Sequence, residues 1–353
     1  MDLTKDDNQM AKGIAILGMV MLHLFCRLGE LPYEPLVFLK NGRPLVYYFG
    51  LFGDLCVPTY CFCSGFAQMV LKEREQEKYF RESLIRLLKF IVNFWIVLIV
   101  FSLVGLLFGK DGTIPGTFGK FLGNFFLFRL SYNGAWWFVL TYIFLILSSP
   151  FLIKMVKQLS SGLVFFGGGI LYFLAYMLRC KYEIEIDRPV FSWVYTQALL
   201  FGTSQFSFLV GMLFQKHQII RQLRAGVSHS RLKKILCFLI PVGMFCFHAI
   251  VPSLIIAPVT GLSAIACFHL AEKPKWIQKI LLFLGHHSTN IWLVHMFFYL
   301  VLFENFVFIA KYPLLIFLLM FAICIAVSFG INFIYQPVLQ LFGKKGFLCQ
   351  KSA

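Results

Sequence analysis

Runs of about twenty apolar residues recur along nearly the whole chain, each long enough to cross a hydrocarbon core of roughly 30 Å. Composition agrees: 59% of the residues are hydrophobic against 14% charged, and the mean hydropathy is +0.79. A water-soluble fold of 353 residues needs a polar skin that this chain cannot supply. The expected fold class is therefore all-α, a polytopic integral membrane protein. No long soluble insert interrupts the runs. The expectation is one transmembrane domain over 1–353, its core about 10–338, with no soluble extracytoplasmic domain attached.

Ten membrane helices are expected at about 10–28, 45–70, 86–109, 134–153, 161–179, 191–214, 235–250, 252–271, 281–303 and 313–338. The eighth is short and interrupted by Pro258 and Gly261. The Phe-rich stretch from Thr117 to Leu130, with Lys120 and Arg129, reads as an amphipathic interfacial helix. With ten spans, one side of the membrane receives 22 of the 32 Lys and Arg residues. Basic residues mark the cytoplasmic side, so both termini are placed in the cytoplasm. The same bias accounts for the net charge of +16 without invoking nucleic acid. The ten Cys lie almost wholly inside apolar stretches without paired loop spacing, which reads as small buried hydrophobes and not as a disulfide or metal framework. The first apolar run belongs to a full-length helix, so no cleavable leader is expected. No internal repeat of the inverted-transporter kind stands out.

Ionisable side chains at membrane depth are costly and therefore functional candidates. Lys12 and His23 are eleven residues apart on the first helix. At 100° per residue they share one face, about 16 Å apart along the axis. This joins a cationic mouth to an imidazole near mid-membrane, although Lys12 can equally snorkel to lipid phosphates and His23 bond a neighbouring helix. The ninth helix carries His286, His287, Ser288 and His295. The three histidines point in different directions, which argues against a metal, whereas Ser288 and His295 fall on nearly the same face. His295 is either a packed polar residue or a group facing the same cavity as His23. Asp54 on the second helix precedes Pro58, Ser64 and Gly65, where a break can line a cavity, or where an ordinary kinked span can leave Asp54 near the outer interface. The connector with Arg74, Lys78, Arg81, Arg86 and Lys89 is a basic cluster suited to anionic lipid or to the phosphates of a nucleotide-like donor. Trp136 and Trp137 fit an interfacial aromatic belt, and His248 and His269, near helix ends, are given no role.

Four segments in this order resemble the membrane-bound acyltransferase-3 family. Ala11-Lys12-Gly13-Ile14-Ala15-Ile16-Leu17 followed by His23 resembles its first-helix pattern of a basic residue, ten residues, then His. Val57 to Phe66, ending in Ser64-Gly65-Phe66, resembles its second-helix segment. Tyr79-Phe80 through Arg86-Leu87-Leu88, with Trp136-Trp137-Phe138, resembles its third-helix approach and fourth-helix start. Leu284-Gly285, Ser288 and Ile291 to His295 resemble its late Gly-Ser-Leu-x-His signature. The likeness spans roughly residues 10–300. The family usually has Arg where Lys12 stands, and Ser83 occupies a place where one of a basic pair is often found. Lys keeps the charge but loses the bidentate fork.

The resemblance implies acyl transfer, most simply of acetyl, from cytoplasmic acyl-CoA to a hydroxyl of a carbohydrate: a cell-surface or exported polysaccharide or its precursor. It implies a bacterial cytoplasmic membrane as the location, with the bilayer and surface-polysaccharide assembly proteins as further partners. Acyl-CoA would be a donor substrate, with no permanently bound cofactor and no metal. Lys12, Arg81 and Arg86 would attract the CoA phosphates. His23 would be the general base and His295 the second choice, because an imidazole titrates near working pH. Trp137 or Ser64 would donate to the oxyanion. Many relatives carry a C-terminal extracytoplasmic hydrolase-like domain; here acceptor-side work would fall to the membrane part or a partner. A competing class is a proton-coupled transporter or flippase of a sugar or lipid-linked precursor, with His23, Asp54 and His295 as relay. A third is a catalytically silent subunit of a surface-polymer assembly.

Overall fold

The computed structural model describes all residues except 1, 2, 28, 40, 41, 183, 229, 230 and 345–353. Thirteen α-helices occur among the described residues, and no strand. They are α1 (Lys5–Phe25), α2 (Leu45–Phe52), α3 (Cys56–Glu75), α4 (Tyr79–Leu107), α5 (Phe118–Phe125), α6 (Trp137–Gln158) and α7 (Ser161–Cys180). There follow α8 (Pro189–Lys216), α9 (Ile219–Ser228), α10 (Arg231–Ile250), α11 (Ala257–Leu270), α12 (Lys275–Val294) and α13 (Pro313–Lys344). Seven helical stretches among the described residues are long and apolar enough to cross a membrane. One of them, Leu45–Leu107, is 63 residues long and turns back on itself between α3 and α4. The chain is an all-α polytopic membrane protein.

Each of the ten expected segments is helical, and the differences are local. The second helix is not broken at Pro58 or Gly65, which lie within the continuous α3; the break is the 3-10 turn Gly53–Leu55, which carries Asp54. Asp54 is buried. The basic connector before the third helix is largely helix: only the Gln76–Lys78 turn separates α3 from α4, so Arg81, Arg86 and Lys89 ride on α4. The Ser83 hydroxyl donates to Gln68 Oε1 at 2.9 Å and ties the two helices together. The ninth expected helix stops at Val294, and His295 opens a separate 3-10 turn, His295–Phe298. The stretch from Thr117 to Leu130 contains one short helix, α5, capped by the Thr117 side chain. The amphipathic α9 was not anticipated.

One packing feature positions the site. A Cβ added at Gly13 would run into the Leu281 carbonyl, and one at Gly285 into the Gln9 carbonyl. Glycine at both places lets the backbones of α1 and α12 touch, the small-residue contact by which membrane helices approach each other. Because α1 and α12 are held this close, the side chains at their far ends can meet.

Candidate active site

His23 lies in the last turn of α1, and His295 directly follows α12. Their nitrogens, His23 Nδ1 and His295 Nε2, are 2.7 Å apart, with ring planes within 9° of parallel. That is a hydrogen-bond distance, shorter than ring faces can approach, so the imidazoles meet edge to edge. The rest of the chain fixes the direction of this bond. His295 Nδ1 lies 2.8 Å from the Trp292 carbonyl, which can only accept, so Nδ1 carries the hydrogen. In a neutral His295 the Nε2 is then bare and accepts from His23 Nδ1–H. A neutral His23 in turn presents a bare Nε2, the arrangement a general base requires. His295 is fully buried, and His23 is partly exposed to a cavity.

The loop before α6 holds His295 in place. Asn133 Nδ2 and Trp136 Nε1 both donate to the Leu293 carbonyl at 3.0 Å, and Trp292 Nε1 donates to the Ala135 carbonyl at 3.0 Å. The first two bonds use the Leu293 carbonyl, released where α12 stops, and so help to satisfy the helix end. The buried Trp136 thus does more than belong to an aromatic belt, and Asn133 was not singled out in the sequence at all.

The cavity beside His23 has a volume of about 430 Å³, within the range of small-molecule sites. Lys12, His23, Asp54, Ser64 and Trp137 all line it, so five candidates scattered over 126 residues of sequence share one space. Lys12 forms no hydrogen bond or carboxylate ion pair through its ammonium among the described residues. Arg86, on α4, is close enough for the two charges to interact. Arg81 and Arg86 are exposed and do not line the cavity. Ser288 does not line it either: its hydroxyl donates back to the Gly285 carbonyl at 2.7 Å, and it touches the cavity wall through Tyr60. Asp54 faces His248 of α10, Oδ2 to Nε2 3.2 Å, and both side chains are buried. The separation is that of an ion pair, but the angles are not those of a hydrogen bond. His248, given no role from the sequence, is the polar group that faces Asp54.

Other lining residues escaped the sequence reading: Tyr60 and Tyr142 near Lys12 and Ser64, and Tyr172, Tyr176 and Arg179 on α7. Lone tyrosines on apolar helices carry no signal of their own. As for metals, His287 Nδ1 bonds Ser328 Oγ at 2.8 Å while His286 is exposed and His295 pairs with His23. No group of three His, Cys, Asp or Glu converges among the described residues.

Chemically, the site pairs a base of defined tautomer with a cation about three helical turns away, in an apolar channel with a few polar groups. Such a site can hold a negative charge at one end and take up a proton at the other. A search of the curated proteins and of the solved structures found no match. The family described as acyltransferase domain (acyltransferase-3) matches residues 9–333. The match covers nearly the whole chain and includes every residue of the cavity, and the chain therefore belongs to the acyltransferase-3 family and is a membrane acyltransferase.

Proposed function

We propose that the chain moves an acyl group, most simply acetyl, from acyl-CoA to a hydroxyl of a carbohydrate, at the cytoplasmic membrane of a bacterium. The observation that carries this reading is the ordered bond series from the Trp292 carbonyl through His295 to His23, ending in a bare nitrogen on the cavity that Lys12 also lines. With N-terminus inside, Lys12 and Arg86 lie toward the cytoplasm, where acyl-CoA is. Their charges hold its phosphates, with Arg81 as an outlying exposed cation, and the thioester arm runs along α1 toward His23.

The acceptor hydroxyl gives its proton to His23 Nε2 as its oxygen attacks the thioester carbonyl carbon. The imidazolium that forms keeps its Nδ1–H on His295, which steadies the charge and the ring. The tetrahedral oxyanion is met by Trp137 Nε1 or the Ser64 hydroxyl. The intermediate then collapses, the carbon–sulfur bond breaks, and the CoA thiolate takes back the proton from His23. An ester and a free thiol leave. His295 is a positioning residue in this scheme; Asp54 and Ser288 shape the walls.

The test is release of free CoA thiol by the purified protein given acetyl-CoA and carbohydrate hydroxyl acceptors, with CoA binding followed on the same sample. The native protein is expected to bind CoA and release thiol. His23→Ala should bind CoA and lose release by about a hundred- to ten-thousandfold. Near-native release by His23→Ala would remove it as the base. A native protein that neither binds CoA nor releases thiol would overturn the acyltransfer scheme.

A further inference from the structure

The cavity carries a second cation that the reaction scheme does not use. Arg179 stands in the last turn of α7 and lines the cavity. Its guanidinium lies 5.3 Å from the centre of the Trp137 ring, and its Nη1 donates to Thr203 Oγ1 at 3.3 Å. Thr203 is fourteen residues, about 21 Å, into α8. An arginine at the end of a membrane helix ordinarily stretches toward the headgroups. Arg179 turns the other way, inward along α8.

The location is the histidine end of the cavity. Trp137 begins α6 directly after Asn133–Trp136, the segment bonded to Trp292 and Leu293 just before His295. Lys12 lies at the other end, eleven residues before His23 on α1. Arg179 and its neighbour Cys180 are exposed while lining the cavity, so the cavity opens beside them. Charge is uncompensated there. Asp54 is the one carboxylate among the lining residues, and it faces His248. Arg179 forms no ion pair among the described residues, and a planar fork with donors to spare, stacked on an indole, is suited to a carboxylate or phosphate. Tyr172, Tyr176 and Ser204 line the same cavity, the two tyrosine hydroxyls being held by the Leu254 and Ile255 carbonyls and by Ser253 Oγ.

We infer that Arg179 and Trp137 form an acceptor subsite, and that the acceptor is an anionic carbohydrate whose carboxylate or phosphate docks on Arg179 while its hydroxyl reaches His23. This rests on the acyl-transfer reading for the hydroxyl, but the anion subsite is testable without turnover. An anion held there supplies the fixed point from which one hydroxyl is presented to one imidazole.

The experiment uses the full chain in detergent with three acceptor probes: methyl β-glucuronide, glucose 1-phosphate and the neutral methyl β-glucoside. Binding is read by thermal stabilisation and by Trp fluorescence, and transfer by acetylated product from acetyl-CoA. The glucuronide or the phosphate should bind and be acetylated in preference to the glucoside, and the better of the two identifies the anion. Arg179→Gln should lower kcat/KM for that probe at least about thirtyfold and so remove its advantage over the glucoside. Arg179→Lys should fall between, because it keeps charge without the fork. His23→Ala should keep anion binding while losing transfer. Equal response to charged and neutral probes, or anion binding that survives Arg179→Gln, overturns the subsite and leaves acyl transfer standing. Arg179→Gln weakening CoA binding instead would make Arg179 a donor contact and overturn it equally. Arg179-dependent anion binding in a native protein that releases no CoA thiol would sink the acyl-transfer scheme and keep the subsite.

Discussion

Helix α12 presents polar groups on two faces, and the faces are built on opposite rules. Toward α4 and α13, Asn290 accepts from Asn93 Nδ2 at 2.7 Å and donates to Ser328 Oγ at 3.0 Å and Asn332 Oδ1 at 3.1 Å, while His287 bonds Ser328. Apart from the Asn93 Oδ1, this network closes on itself. Toward the cavity, Thr289 and Trp292 form a wall beside groups held back from full pairing: the His23 Nε2, the Lys12 ammonium and the Arg179 guanidinium. The Asn290 network, His23 and Lys12 lie within an apolar bundle, where an unpaired polar group is costly, and Arg179 stands where the cavity opens. A satisfied network stabilises helix contacts; an unsatisfied set keeps hydrogen-bonding capacity for a ligand. The contrast separates structure from function on one helix, between residues one or two positions apart.

Substitutions in the two regions should therefore fail in different ways. The largest effect after loss of His23 itself is expected at His295. Truncating it to Ala removes the partner of His23 Nδ1–H, and turnover should fall by about ten- to a hundredfold with CoA binding unchanged. His295→Gln, whose amide oxygen can still accept, should recover part of that loss. If Ala and Gln behave alike, His295 is packing and not a positioning residue.

A smaller loss is expected at the donor end. Lys12→Ala should raise KM for acyl-CoA by roughly tenfold with little change in kcat, since one charge-assisted contact is worth about 1.5–3 kcal/mol. Arg86→Ala, at an exposed position, should shift KM less and lose its effect at high salt. A fall in kcat alone at Lys12 would place it in the chemistry and not in donor binding.

The smallest catalytic effect is expected at Asn290. Asn290→Ala breaks bonds to α4 and α13 and should lower the melting temperature, the loss averaging about 0.6 kcal/mol per interhelical bond, while KM and kcat stay near native. Should Asn290→Ala alter KM while leaving melting untouched, the division between the two faces of α12 would be lost.

Length and hydropathy of the apolar runs determined the helical polytopic fold and placed each expected helix, because a backbone in hydrocarbon has few ways to satisfy its own hydrogen bonds. The sequence also determined that Lys12 and His23 share a face of α1, since helix periodicity makes this a local fact. Only the tertiary structure decided which histidine meets which. His23 and His295 are 272 residues apart, and the glycine contacts between α1 and α12 bring them together. The same holds for Asp54 with His248 and for Arg179 with Trp137, pairs whose members sit on different helices without a spacing to betray them. Ser288 fell on the right face by periodicity, yet its hydroxyl turned back to its own helix. Periodicity fixes the direction in which a side chain leaves one helix, whereas partnership depends on how helices cross, and crossing is set by close packing among residues far apart in the chain.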